Sequence, residues 1–243
     1  MGFVILPILA LLLGTGLDIL LRTLQDAEVV DSLLLTFSAG LISTTITLIC
    51  GVPLAYILAR VEFIGKSWIE GLINLPIVIP HTAAGIALLL VFGRQTPLGR
   101  LFDLFGIGFV DRFPGIIVGM TFVSLPFLVR ASREAFSLVD QELERVAETE
   151  GASKWQVFFL ISLPLAWRGV AAGCLMMWGR AISEFGAIII IAYHPKVIPV
   201  LVYERFAGFG LARAQPVAVF LILASLAIFV FIQILLRIRE QEQ

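Results

Sequence analysis

The chain has 243 residues, 59% of them hydrophobic and 14% charged, with mean hydropathy +1.01 and formal net charge −1. A soluble globular domain is about 45–50% apolar and about 25% charged, so this composition excludes one: the surplus apolar surface has to face lipid. The small net charge gives no ground for a nucleic-acid partner, and Cys50 and Cys174, each inside an apolar run, build neither a disulfide framework nor a metal site.

A helix that crosses the hydrocarbon core needs about 20 mostly apolar residues, and six segments qualify. The first, Phe3–Leu21, is apolar apart from Asp18. A secretory signal carries basic residues ahead of its apolar stretch. Here the first basic residue, Arg22, comes after it, so the segment reads as a retained span, with a cleaved signal as the alternative. The second, Leu33–Ala59, runs 27 residues without a charge. The third, Gly71–Gly93, has His81 as its one ionisable group. Within it Pro76 and Pro80 each remove a backbone donor and bend or break the helix. A helix broken there presents N–H groups and a positive dipole end suited to an anion; alternatively the kink serves packing, with His81 hydrogen-bonded to a neighbouring helix. The fourth covers about 113–129. The fifth, about 165–193, carries Arg168, Arg180 and Glu184, and the sixth is Ala214–Leu236. Charges inside a membrane face a protein interior, so Arg180 and Glu184, four residues apart, are expected to pair, either as a structural ion pair or as a pore-side element. Gly186 permits close helix approach.

The expected fold is therefore an all-α membrane protein with six transmembrane helices in one domain, residues 1–243, since no polar linker divides it. Six spans put both termini on one side. With that side as the cytoplasm, nine basic residues lie inside (Arg237 and Arg239 among them) and seven outside, a small margin in the sense of the positive-inside rule. Trp68, Trp155 and Trp167 fall near the inner boundary, as interfacial aromatics do. The outer stretches Arg94–Arg112 and His194–Arg213 are either solvated loops or contacts for an external partner.

Between the fourth and fifth spans runs the one long polar interruption, Asp140–Pro164. Leu143, Val146 and Ala147 fall at i, i+3 and i+4, one face of a short helix. Gly151 stops it, Ser153 caps a second helix, Trp155, Phe158, Phe159 and Ser162 share a face of that helix in the membrane interface, and Pro164 ends it. As a rigid helix–turn–helix at the membrane surface, this segment suits transmission of force from a cytoplasmic partner; otherwise it is an ordinary loop with two surface helices.

The segment resembles the EAA loop of binding-protein-dependent ABC importer permeases, a pattern near E-A-A-x3-G-x9-I-x-L-P. Gly151, Ile161, Leu163 and Pro164 stand at the family's spacing, whereas Arg145-Val146-Ala147 replaces Glu-Ala-Ala and Glu144 stands one place early. Pro76-Ile-Val-Ile-Pro80-His81-Thr-Ala-Ala-Gly85, Arg180-Ala-Ile-Ser-Glu184-Phe-Gly186 and Tyr193-His-Pro195 with Val202-Tyr-Glu204-Arg205 are similar to the molybdate/tungstate group of that family. The resemblance implies a multi-pass plasma-membrane protein with both termini cytoplasmic and a pore made by two copies of the chain. Cytoplasmic ABC ATPase subunits would dock on the loop, an extracytoplasmic protein would deliver the oxyanion, and ATP binding and hydrolysis would switch the pore between its two facing states. It also implies that Glu144, Ala147, Glu148, Gly151, Ala152 and Pro164 form the ATPase-coupling segment; the broken third span, rather than the resemblance, suggests that His81 and Thr82 line the oxyanion path, the alternative being a kink that serves packing. No cofactor or metal is expected. The chain lacks a Gly-x4-Gly-Lys-Ser/Thr loop, so it is expected to perform no catalysis and to leave ATP to another subunit. The rival readings are a sulfate or thiosulfate permease of the same family and a stand-alone secondary transporter.

Overall fold

In lipid no water completes the backbone hydrogen bonds, so apolar spans become helices. The computed structural model describes the backbone of residues 2–241 and shows no strand among them. Side chains are described except at positions 4, 231–233 and 235–241. Arg237 and Arg239, counted above with the inner basic residues, lie outside the described side chains. In chain order the helices are α1 (Gly2–Leu13), α2 (Leu17–Leu24), α3 (Ala27–Arg60), α4 (Lys66–Val78), α5 (His81–Phe92), α6 (Pro97–Asp103), α7 (Phe113–Ser137) and α8 (Gln141–Thr149). They continue with α9 (Lys154–Val157), a π-turn (Phe158–Ser162), α10 (Leu163–Ile182), α11 (Ile188–Ile191), α12 (Ile198–Phe209) and α13 (Leu211–Gln241).

Among the described residues, four continuous stretches are long and apolar enough to cross a membrane: α3, α7, α9 through α10, and residues 211–230 of α13. Two bent pairs bring the number to six if each is one span. The expected first span is such a pair, since α1 and α2 turn by 80° across Gly14–Gly16. The expected third span is the other, with α4 and α5 turned by 118°. Of its two prolines only Pro80 marks the break; Pro76 is accommodated inside α4.

Three further expectations change. The fourth span extends beyond Val129 to Ser137. Pro164 does not end a helix. The wide turn at Phe158–Ser162 absorbs the register change, and the proline falls in the first turn of α10, where its missing N–H costs least. One continuous helix of 29 residues, Lys154–Ile182, thus joins the surface segment to the fifth span. The outer stretch His194–Arg213 is not a loop but mostly α12, with Ile198, Val200 and Leu201 buried.

Contacts divide the chain into two compact units, residues 1–38 with 192–243, and residues 39–191; α3 contributes to both. In the second unit α7 packs along α10 around Leu58, Leu128, Phe136, Ala166 and Met177. In the first, Val29, Ile198, Leu201 and Val217 form a small core. The backbone N–H of Ile198, an orphan at the start of α12, donates to Thr36 Oγ1 at 2.9 Å.

Candidate functional site: the surface segment and the broken span

The polar interruption begins with Asp140, whose carboxylate accepts from the Glu142 N–H at 2.9 Å and caps α8. The helix stops at Gly151, which has φ +95°. The N–H of Gly151 bonds to Glu148 O and that of Ala152 to Ala147 O, the paired closure in which glycine takes the left-handed position. Ser153 and Gln156 then cap α9 reciprocally.

The face that α8 turns inward is not the apolar one. Leu143 and Val146 are 50% and 54% exposed, whereas Glu144 is buried. Its carboxylate accepts from Arg60 Nε at 2.9 Å to each oxygen, from Arg60 Nη2 at 2.8 Å, from the Ser162 hydroxyl at 2.7 Å and from the Tyr56 hydroxyl at 3.3 Å. Arg60 also donates to the Val139 carbonyl at 2.9 Å, just before α8. Glu144 thus ties α8 to the end of α3 and to the π-turn. Tyr56 packs edge-on against Phe136 and Phe158, which are tilted to each other, their centroids 5.0–6.0 Å apart around this node. Arg60 and Tyr56 are the partners that reading the loop alone misses; the visible signal was a single cation, Arg60, ending a long uncharged run.

The other expected coupling residues lie on the outer side of the segment. Glu148, Gly151 and Pro164 are exposed, and Ala147 and Ala152 half-buried. Trp155 and Phe159 stack at 6.0 Å and point outward, while Phe158 and Ser162, expected on the same face, are buried. An open cavity of about 570 Å³ adjoins the segment, lined by Leu138, Leu143, Leu165 and Arg168 among others.

At the broken span, His81 opens α5 and meets the end of α10. Arg180 Nη2 donates to Glu184 Oε2 at 2.7 Å, so the expected pair forms, and His81 Nδ1 lies 2.7 Å from both. Glu184 is 1% exposed, and its other oxygen accepts from the Ala187 N–H at 2.8 Å, which bridges the helix break between α10 and α11. Gly186 is needed here: a Cβ would come 2.7 Å from that of His81. Thr82 stands beside His81 but outward.

In the other unit, Lys196 donates to Glu204 at 2.7 Å and Glu28 at 2.9 Å, and Arg205 donates to Asp26 at 2.7 Å. The hydrogen bonds from Lys196 and the Tyr193 hydroxyl hold the Glu204 carboxyl below its ordinary value. Bonds to Glu204 and Glu28 raise Lys196.

Residues 51–242 match the family described as binding-protein-dependent transport system inner membrane component. A molybdate/tungstate transport system permease protein of Thermococcus kodakarensis is 41% identical over 234 residues, 96% of this chain and 90% of that protein. A protein of the same description from Methanocaldococcus jannaschii is 42% identical over 238 residues, 98% and 92% of the two chains. A chain in the crystal structure of a bacterial alginate ABC transporter, in complex with an alginate pentasaccharide-bound periplasmic protein, superposes with TM-score 0.75. At 18% identity, covering 94% of this chain and 86% of that one, it shows a shared fold.

Proposed function

The chain belongs to the binding-protein-dependent transport system inner membrane components, as an ABC importer permease of the molybdate/tungstate type, and from that premise we propose that it forms the pore of an ATP-driven importer of molybdate or tungstate. Two copies enclose the path. A separate ATPase docks on the cytoplasmic face at α8 and Gly151, and an extracytoplasmic protein delivers the anion. The termini lie in the cytoplasm.

One observation carries the coupling part of this reading. α8 buries its acid and exposes its apolar residues: Glu144 is locked to Arg60 and Ser162, and Leu143 and Val146 face out. A surface helix that belonged only to this chain would turn its apolar residues inward. Reversed, it is held by charge on one side and offers an apolar ridge to another protein on the other. Glu148, Gly151 and Ala152 extend that surface. The helix that continues from α9 into α10 is a stiff lever from the docking surface to the membrane-buried break at Glu184. ATP-driven movement of the partner then reopens the path alternately to either side, and the chain itself performs no catalysis.

The test is ATP hydrolysis by the reconstituted complex of this chain, its ATPase and its binding protein. Molybdate and tungstate are each expected to stimulate hydrolysis and uptake, with sulfate giving less. Equal stimulation by sulfate would assign the rival cargo. Oxyanion uptake that proceeds without ATPase would make the chain a lone carrier and end the importer reading.

A further inference from the structure

Arg180 lies 13 residues beyond Trp167 on the same helix, about 20 Å at 1.5 Å per residue. If Trp167 marks the interface, the guanidinium sits well inside a hydrocarbon core about 30 Å thick. Its side chain is nevertheless 23% exposed, and that of His81 37%. Ser183, which accepts from Arg180 Nη1 at 3.3 Å, and Thr82 are exposed beside them. Four polar side chains therefore share one open surface at membrane depth, next to a helix break. Lipid tolerates neither the charge nor the broken backbone. The surface must face a water-filled path or protein.

Hydrogen-bond arithmetic favours the path. Guanidinium has five N–H donors. Glu184 and His81 occupy those of Nη2 and Ser183 takes one from Nη1, which leaves a hydrogen on Nη1 and the one on Nε. His81 Nδ1 is within 2.7 Å of both Arg180 and Glu184, yet one ring nitrogen either accepts from the first or donates to the second. When it accepts, the neutral ring carries its proton on Nε2, which itself lies 3.1 Å from Arg180 Nη2. Thr82 adds an exposed hydroxyl, whereas that of Ser183 already donates to the Arg180 carbonyl at 3.0 Å. The remaining guanidinium hydrogens and the Thr82 hydroxyl suit a tetrahedral dianion, and a planar guanidinium presents its donors in a fixed fork. Glu184 limits the grip: it is a resident carboxylate already drawing on the same cation, so a passing anion is held weakly and let go.

We infer that Arg180 and Thr82, with His81 and Ser183 holding the guanidinium, form a transit site for a tetrahedral oxyanion, with Glu184 as the built-in counter-ion that keeps it low-affinity. The inference rests on the importer reading, and the experiment separates the two. Binding-protein-dependent molybdate uptake is measured in vesicles holding the complete complex. In the double variant Arg180→Gln/Glu184→Gln, the two amides still hydrogen-bond and no buried charge is left unpaired. Uptake is expected to fall about tenfold or more, the scale of a lost charge-assisted pair of hydrogen bonds, with ATPase docking measured alongside as the check on assembly. Glu184→Gln alone removes the competitor: half-saturation moves to lower anion concentration and maximal uptake slows. Arg180→Lys keeps the charge and loses the fork, with a partial loss of uptake, and serves should the double variant not assemble. Wild-type uptake by the double variant, or by Arg180→Lys where the double variant does not assemble, would make the cluster structural and overturn the inference. So would an unchanged half-saturation in Glu184→Gln. Absence of uptake by the wild-type complex would instead remove the importer reading itself.

Discussion

At the scale of single residues, two charge clusters differ in what surrounds them and so in what disturbs them. Arg60 and Glu144 have side chains only 8% and 10% exposed. Removing one member of such a pair leaves a buried, uncompensated charge, which costs about 3–5 kcal/mol. Arg60→Met is therefore expected to lower the thermal midpoint of the detergent-solubilised chain sharply, whereas Arg60→Met/Glu144→Gln recovers most of it. If the node also steadies α8 for the ATPase, the double variant regains stability without regaining anion-stimulated hydrolysis. Equal recovery of both would confine the node to folding. The outer cluster responds to pH instead. Glu204 sits below its ordinary value of 4.5, so its contribution is complete above that pH and is lost as pH falls through the depressed value. Lys196 sits above its ordinary 10.5, so its contribution is complete below that pH and is lost as pH rises through the elevated value. The stability difference between wild type and Glu204→Gln should be flat across neutral pH and shrink on acidification below about 4.5. A difference that vanished near neutrality would contradict the Lys196–Glu204 pairing.

At the scale of elements, Gly151 and the π-turn decide how α8 is joined to α10. A side chain at φ +95° is strained by roughly 1–2 kcal/mol, yet nothing stands within 4 Å of a Cβ built there. Gly151→Ala should thus cost only that strain. Gly151→Arg adds bulk to the proposed docking face, where Gly151 is exposed, and is expected to abolish ATPase coupling while the chain remains in the membrane; unchanged uptake in vesicles with this variant would remove Gly151 from that face. The sequence made part of this visible. Charge-free runs located the long helices, Gly151 and Ser153 the turn between α8 and α9, and Pro80 the break. The orientation of α8 was not legible, because a helical period shows that Leu143 and Val146 share a face and not which molecule covers it. Nor was the passage of α9 into α10, since proline reads as a stop unless a wide turn precedes it. Pairs brought together by folding, Arg60 with Glu144 and His81 with Glu184, lie 84 and 103 residues apart, beyond any local pattern.

For the molecule as a whole, the same features predict sidedness. If the exposed Trp68 and Trp155 mark one membrane boundary, then Lys66, Arg145, Lys154 and Arg168 cluster in the segments next to it. Basic residues near span ends are retained in the cytoplasm, so α8 and the start of α4 should face inward, and α6 outward. Cys50 and Cys174 are the only cysteines. Replacing both with alanine leaves a background in which one thiol can be placed at Glu150 or at Leu104, both exposed. A membrane-impermeant thiol reagent should label Glu150→Cys only in inside-out vesicles and Leu104→Cys only in right-side-out ones. The reverse pattern would put α8 on the outer face, where no ATP is available, and would rule out its docking of an ATPase. The outcome also bears on the transit site. With α8 inside, the continuous run from Lys154 to Ile182 would connect the cytoplasmic surface to Arg180, four residues before the buried Glu184, so the proposed docking surface and the proposed transit site would share one helix.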